Sequence, residues 1–149
     1  AGLLGPQPTV TAALRAHFAR VKAGDYIALL AYIARNEAHG RRLQDLRTLL
    51  RDHYRVATCL GFGPRFLHST GQAYKGGPNT GVFLQLTCDD EVDVPVPGHR
   101  YSFGVVKSAQ ARGDLGVLFE RGRRALRLHL RDVEQGLAAL QAAFEAIIR

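Results

Sequence analysis

The segment RFLHSTGQAYKGGPNTG, which begins at Arg65, carries most of the side chains in this sequence that could do chemistry together. His68 carries an imidazole, a group that exchanges protons near neutral pH. Arg65 can hold a phosphate or carboxylate by a two-pronged contact, or it pairs with a local aspartate. Ser69, Thr70 and Gln72 add hydroxyl and amide groups that hydrogen-bond to sugar oxygens. Together these residues predict a carbohydrate-binding environment.

Two further side chains could join this group. Lys75 lies seven residues after His68, where its ammonium could reach a sugar ring oxygen or a phosphate; the alternative is a surface role. Gln110 can donate to and accept from sugar hydroxyls. A purely structural alternative exists for the segment, in which Ser69 or Thr70 caps a helix, His68 fills a turn and GGPNTG is a bare connection. That alternative does not explain why so many polar groups flank one predicted strand end.

The sequence carries no cofactor motif. No GxGxxG opens a helix after the first predicted strand and no GxxxxGK[ST] exists, so nicotinamide and Walker-type ATP sites have no support. Cys59 and Cys88 lie in apolar surroundings without CxxC spacing, which favours buried thiols over a disulfide or zinc site. His17, His39 and His53 are expected on polar helix surfaces. We expect no metal and no cofactor.

Hydrophobic periodicity predicts alternating helices and strands. Helices are expected at TVTAALRAHFARVKAG, EAHGRRLQDLRTLLRDHY and RDVEQGLAALQAAFEAIIR. Strands are expected at DYIALLAYIA, RVATCLGF, TGVFLQLTCD and ALRLHL. Thr9 or Thr11 is the expected cap of the first helix and Asp132 that of the last. SFGVVKSAQARG and GDLGVLFERGRR are expected to form two short helices separated near Gly113.

This alternation predicts an α/β fold, a three-layer sandwich with a parallel sheet of the flavodoxin-like kind. In such sheets ligands collect outside the carboxyl ends of the strands, and the polar segment starts at the carboxyl end of RVATCLGF. The last helix carries a stripe that should dock on the sheet, made of Leu137, Leu140, Phe144 and Ile148.

Length and composition predict one soluble globular domain. The chain has 149 residues, of which 46% are hydrophobic and 22% charged, enough for one sizeable core. No stretch approaches the ~20 apolar residues of a membrane span, so no membrane partner is expected. The formal net charge of +7 comes largely from arginines spread along the predicted helices. This spread favours a phosphate-bearing small molecule or an acidic partner domain over nucleic acid, which we do not expect as a partner.

The sequence opens AGLLGPQPT, with neither an initiator methionine nor a charged and apolar leader. This start argues against a secretory signal and indicates a trimmed chain or a piece of a longer polypeptide. Together with the expected buried thiols, it predicts a cytoplasmic location.

Several blocks resemble one known family. GFGPRFLHSTGQAYKGGPNTGVFLQLT, VPVPGHRYSFGVVKSAQARGD and GRRALRLHL are similar to the C-terminal part of the glucose-6-phosphate isomerase unit in bacterial transaldolase/glucose-6-phosphate isomerase fusion proteins. HSTGQ is also similar to the His-Ser-x-Gly-Gln segment of stand-alone bacterial phosphoglucose isomerases. The resemblance covers nearly all of the chain. It implies a single sugar isomerase (SIS) domain over residues 1–149, with a sister SIS domain and a transaldolase portion in the same polypeptide as partners.

The resemblance also implies an activity, the interconversion of glucose 6-phosphate and fructose 6-phosphate through ring opening and a cis-enediol, without a cofactor. A histidine opens the ring in this family, and His68 is the candidate for that role. Lys75 is the second catalytic candidate, as a group that supports the developing charge. The candidates for holding the sugar phosphate substrate are Arg65, Ser69, Thr70, Gln72 and Gln110.

The sequence departs from the family pattern in two places. The family's proton-shuttling glutamate lies upstream of the histidine, and here TLLRDHYRVATCLGFGPR has Asp52 as its only carboxylate. The family's late catalytic lysine is also missing, since AQARGDLGVLF keeps Gln110 but no lysine follows. Two hypotheses stay open: an isomerase domain, and a non-catalytic module that binds a sugar phosphate or docks a partner domain. An isolated half would expose the face that a sister domain covers, so we expect a homo-oligomer.

Overall fold

The computed structural model describes residues 9–149, and its helices and strands alternate along the chain as the sequence predicts. The polar segment after the second strand forms a 3-10 turn and a short helix. The elements are α1 Val10–Phe18, β1 Tyr26–Tyr32, α2 Glu37–Tyr54, β2 Ala57–Phe62, the 3-10 turn Arg65–His68, α3 Thr70–Gly76, β3 Gly81–Cys88, α4 Phe103–Glu120, β4 Arg124–Leu130 and α5 Val133–Ile148.

The four strands form one sheet in the order β2-β1-β3-β4, and every neighbouring pair is parallel. Helices α1, α2 and α5 pack on one face, while the 3-10 turn, α3 and α4 pack on the other. The predicted three-layer α/β sandwich with a parallel sheet is therefore confirmed. The strand order reverses between β1 and β3, and the crevice outside their carboxyl ends is where ligands bind in sheets of this kind.

Side chains that alternate along the strands divide the core between the two faces. On β1, Ile27 and Leu29 pack with α2 and α5, whereas Leu30 and Tyr32 pack with the 3-10 turn, α3 and α4. β1 is buried along nearly its whole length because helices cover both of its faces. This double burial explains the unbroken apolar run that predicted the strand.

Two of the expected helix caps are present. Thr9 Oγ1 accepts a hydrogen bond from the Ala12 N–H at 3.1 Å, so the first helix begins at the earlier of the two candidate threonines. Asp132 Oδ1 accepts from the Gln135 N–H at 2.8 Å. Each cap satisfies a backbone donor that the first turn of a helix cannot pair internally. These local interactions explain why the helix starts were predictable from sequence.

The stripe on α5 docks on the sheet as predicted. Leu137, Leu140 and Phe144 are fully buried, and Ile148 at the end of the helix is half-buried. Phe144 meets Phe18 of α1 edge to face, with 5.2 Å between the ring centroids. The contact ties the last helix to the first, because both lie on the same face of the sheet.

The expectation of two short helices around Gly113 is wrong, since α4 runs unbroken through this glycine. Glycine in a helix interior costs only about 1 kcal/mol relative to alanine. That cost is smaller than the gain from burying one continuous face, because Ala111, Leu115 and Leu118 all lie in the core. Tertiary packing therefore overrides the local break signal.

Two of the three histidines expected on polar helix surfaces are buried. His39 links helices, since its Nδ1 lies 2.8 Å from the Ala34 carbonyl oxygen and its Nε2 lies 3.1 Å from Oε1 of Glu134 on α5. His17 is only 4% exposed and lies under the guanidinium of Arg20. Both were misjudged because burial depends on which face of each helix packs against the rest of the fold, and on α1 and α2 that face includes His17 and His39.

Candidate functional site

The predicted site segment lies just beyond the carboxyl end of β2, on the face covered by α4. His68 is the last residue of the 3-10 turn, Arg65 is its first, and both side chains are exposed. One turn of chain therefore carries the imidazole and the guanidinium at the edge of the sheet where ligands bind in this fold.

The hydroxyl and amide groups next to His68 are partly used by the segment itself. Ser69 Oγ donates to the Phe66 carbonyl oxygen at 3.4 Å, and Gln72 Nε2 donates to the Leu67 carbonyl oxygen at 2.8 Å. Ser69 occupies the cap position of α3, yet its side chain makes no capping hydrogen bond. Ser69, Thr70 and Gln72 are all exposed, so each retains polar atoms that face solvent.

Lys75 and Gln110 lie apart from this turn. Lys75 Nζ forms an ion pair with Oδ1 of Asp114 at 2.7 Å, and the two side chains are only 19% and 2% exposed. The ammonium therefore lies between α3 and α4, bound to a carboxylate, rather than in open solvent. Gln110 is exposed on α4. The structure thus groups Arg65, His68 and their hydroxyl neighbours but gives the lysine a partner inside the fold.

Two glycines, Gly63 just before the segment and Gly71 within it, allow close packing around two aromatic rings. A Cβ at Gly63 would lie 2.5 Å from the buried ring of Tyr32, and one at Gly71 would lie 3.0 Å from the Phe66 carbonyl oxygen. Tyr32 and Phe66 meet edge to face with 5.5 Å between their centroids. Part of the glycine content therefore serves packing of the chain on the sheet.

A cavity of about 290 Å³ opens outside the carboxyl ends of β1, β3 and β4, beside the first half of α4. Two periodicities build it. Alternate residues of the strands point to the α4 face, and residues of α4 one turn apart point back at the sheet. None of the seven predicted site residues lines it. The lining residues are Tyr32, Thr87, Cys88, Lys107, Ser108, Ala111, Arg112, Arg127 and His129.

The walls of this cavity are basic. Lys107 pairs with Asp90 and is largely buried. His129 contacts Thr87, with 3.0 Å between Nδ1 and Oγ1, and its Nε2 lies 3.6 Å from Oδ2 of the exposed Asp89. Arg112 and Arg127 are exposed at the mouth, and the ion pairs found among residues 9–149 include neither of them.

The floor of the cavity carries a buried hydroxyl. Tyr32 is 1% exposed, and its Oη has no hydrogen-bond partner among the described residues; the same holds for Oδ2 of the neighbouring Asp114. Burial, and then the nearby Asp114 carboxylate, raise the pKa of Tyr32 well above its ordinary value. The phenol therefore stays protonated and can donate to Asp114 or to an oxygen in the cavity.

The cysteine beside the cavity is not activated. Cys88 is half-buried, and burial raises the pKa of its thiol, while Lys107 acts in the opposite direction. A thiol with a raised pKa is protonated at neutral pH and is a weak nucleophile. Cys59 and Cys88 are both free, and neither is fully buried.

Sequence reasoning missed the cavity because its members come from four separate stretches of chain. The signal that the sequence offered was the alternation of side chains along each strand. This alternation places Thr87 and His129 opposite each other at the carboxyl ends of β3 and β4. Among the residues that the structure describes, no group of three His, Cys, Asp or Glu side chains is arranged to hold a metal. No helix in that same part of the chain is both long and apolar enough to cross a bilayer.

Comparison with known proteins gives the fold. No protein-family model matches the chain, and no curated protein matches it. The crystal structure of hypothetical protein TT0462 from Thermus thermophilus is similar over 93% of this chain, with a TM-score of 0.69 and 16% sequence identity. The likeness is one of fold alone. This chain spans 39% of the length of the Thermus chain.

Proposed function

We propose that this chain is a SIS-type domain of a glucose-6-phosphate isomerase that works within a larger cytoplasmic polypeptide. The observation that carries the proposal is the exposed pair His68 and Arg65, on one turn at the carboxyl edge of a parallel sheet. Support also comes from the similarity of HSTGQ and its flanking blocks to glucose-6-phosphate isomerases. The three-layer fold is compatible with a SIS domain.

In this proposal, His68 opens the sugar ring by moving a proton between the ring oxygen and the adjacent hydroxyl. Arg65 holds an anionic group of the substrate, and Ser69, Thr70 and Gln72 contact its hydroxyls. A proton then moves between C1 and C2 through the cis-enediol. The carboxylate that carries it comes from the sister domain or a partner subunit, because the stretch before His68 offers only Asp52, an exposed residue on α2.

The test is a coupled assay of fructose 6-phosphate conversion, on this chain and on the polypeptide that contains it. We expect activity in the longer form, and a loss of about 100-fold in kcat for His68→Ala, the scale of a general acid–base group. His53→Ala is the matched control, since His53 is also an exposed histidine next to a helix end. It should change kcat by less than twofold. Full activity in His68→Ala would disprove the ring-opening role.

A non-catalytic sugar-phosphate-binding module is the second candidate. It is favoured by the ion pair of Lys75 with Asp114, because a lysine held in this way is not free to contact substrate. The two candidates differ in one measurement. If the longer polypeptide is inactive but 5-phosphoarabinonate, an enediol mimic, raises its Tm, then the module binds without turnover. If the mimic neither binds nor inhibits, both candidates fail.

A further inference from the structure

The cavity between β4 and α4 is lined by four basic side chains, and not all of them are paired with an acidic residue of the described chain. Of its four basic side chains, Lys107 is neutralised by Asp90, and His129 has Asp89 at its Nε2 side. Arg112 and Arg127 form no ion pair among residues 9–149, and both line this cavity. Like charges at one opening repel each other, so the arrangement favours an anion between them.

A buried hydroxyl lies at the floor of the same cavity. The Tyr32 hydroxyl is shielded from solvent and lies beside the Asp114 carboxylate, to which it can donate. Asp114 does not make the cavity acidic, because its carboxylate is buried behind it and bound to Lys75.

We propose that this cavity is a binding site for a small phosphomonoester or inorganic phosphate, held by the guanidinium groups of Arg112 and Arg127. Planar guanidiniums match phosphate oxygens by paired hydrogen bonds. Ser108 and Thr87 line the same walls and add hydroxyl donors. The volume of about 290 Å³ lies at the lower end for ligand pockets, which selects a small ligand over a nucleotide. The site shares no residue with the isomerase proposal and does not depend on it.

The experiment is a titration of the chain with inorganic phosphate, against sodium chloride of equal ionic strength, followed by backbone amide resonances in two-dimensional NMR. We expect saturable shifts at Thr87, Ser108 and His129 with phosphate only. Arg112→Gln and Arg127→Gln should each weaken phosphate affinity at least fivefold. Both arginines are exposed and unpaired among the described residues, so the variants should fold, which urea unfolding checks.

Two further variants make the outcome decisive. Arg131→Gln is the matched control: Arg131 is exposed one residue beyond β4, does not line this cavity, and lines an adjacent cleft against α5. It should change affinity by less than twofold. Ser108→Asp places a carboxylate at an exposed position of the cavity wall and should abolish saturable binding. The proposal fails if chloride produces the same shifts as phosphate, or if Arg131→Gln weakens binding as much as Arg127→Gln.

Discussion

Replacing Lys75 by methionine is expected to lower the free energy of unfolding by about 3–5 kcal/mol, the usual cost of removing one partner of a buried ion pair. The reason is Asp114, whose side chain is only 2% exposed. Without the ammonium its carboxylate has no ion-pair partner in a site that excludes water, so it must become protonated or draw water into the core. Urea unfolding at pH 7 measures the change.

Replacing Asp114, the other partner of this ion pair, should lower the free energy of unfolding less than replacing Lys75. In Asp114→Asn the lysine loses its ionic partner but remains 19% exposed, so its flexible chain can bring the ammonium to water. We expect a loss of about 1–2 kcal/mol for this variant, and the double variant should be more stable than the sum of the single changes predicts. Lys22→Met is the control, since Lys22 is exposed, and should lie within about 0.5 kcal/mol of wild type. A loss below about 1 kcal/mol for Lys75→Met would contradict the structural role.

This prediction also tests the catalytic role that the sequence suggested for Lys75. A lysine that only contacts substrate can be replaced with little change in the free energy of unfolding. A lysine that holds α3 against α4 cannot, and its loss would disturb the whole polar turn that α3 follows. Arg123 strengthens the same junction, because its Nη2 donates to the carbonyl oxygens of Lys75 and Gly77 at 2.7 and 2.6 Å.

The second prediction concerns the loss of folding stability at acidic pH. Burial, and then the positive charge of Arg20, lower the pKa of His17 from its ordinary 6.5 to about 3. Arg124 acts in the same direction, and the Phe83 backbone acts against it. The folded state therefore keeps this imidazole neutral, while the unfolded chain takes up a proton below about pH 6.5. Stability is fully present above that pH and is lost as the pH falls toward 3, by about 2 kcal/mol at pH 5.

The measurement is urea unfolding of wild type and His17→Gln at pH 7.5 and pH 5. Glutamine does not titrate, so the variant should lose about 2 kcal/mol less than wild type between the two conditions, whatever its stability at pH 7.5. His53→Gln, at an exposed histidine, should keep the wild-type difference. The pKa of Asp25 is lowered chiefly by its hydrogen bond to Arg124. The stability that this carboxylate contributes is lost only as the pH falls below the ordinary 3.8 of the group, so it does not affect the comparison at pH 5. Equal pH dependence in wild type and His17→Gln would disprove the assignment.

The parallel sandwich was predictable because local patterns encode it. The buried run YIALLAY on β1 and the helical stripe with Leu137 and Phe144 on α5 each carry their own periodicity. Thr9 and Asp132 mark the starts of their helices, because each side chain accepts a hydrogen bond from a backbone N–H only three residues away. The right-handed crossover then allows few ways to join such elements.

The candidate site was predictable only as far as it is local. Arg65 and His68 share one turn, so their proximity follows from the chain itself. The partner of Lys75 lies 39 residues away at Asp114, and no pattern near either residue signals the pair. The cavity lined by Arg112 and Arg127 was still harder to predict, because β1, β3, α4 and β4 must all be assembled before it exists.

The sequence alone determined the order and type of nearly every element, because hydrophobic periodicity and capping act within a few residues. The tertiary structure alone decided that α4 continues through Gly113, that His17 is buried and that Lys75 has a partner. The physical reason is the same in each case. Burial and charge pairing depend on neighbours brought together by folding, and their free energies exceed the local preferences that a sequence displays.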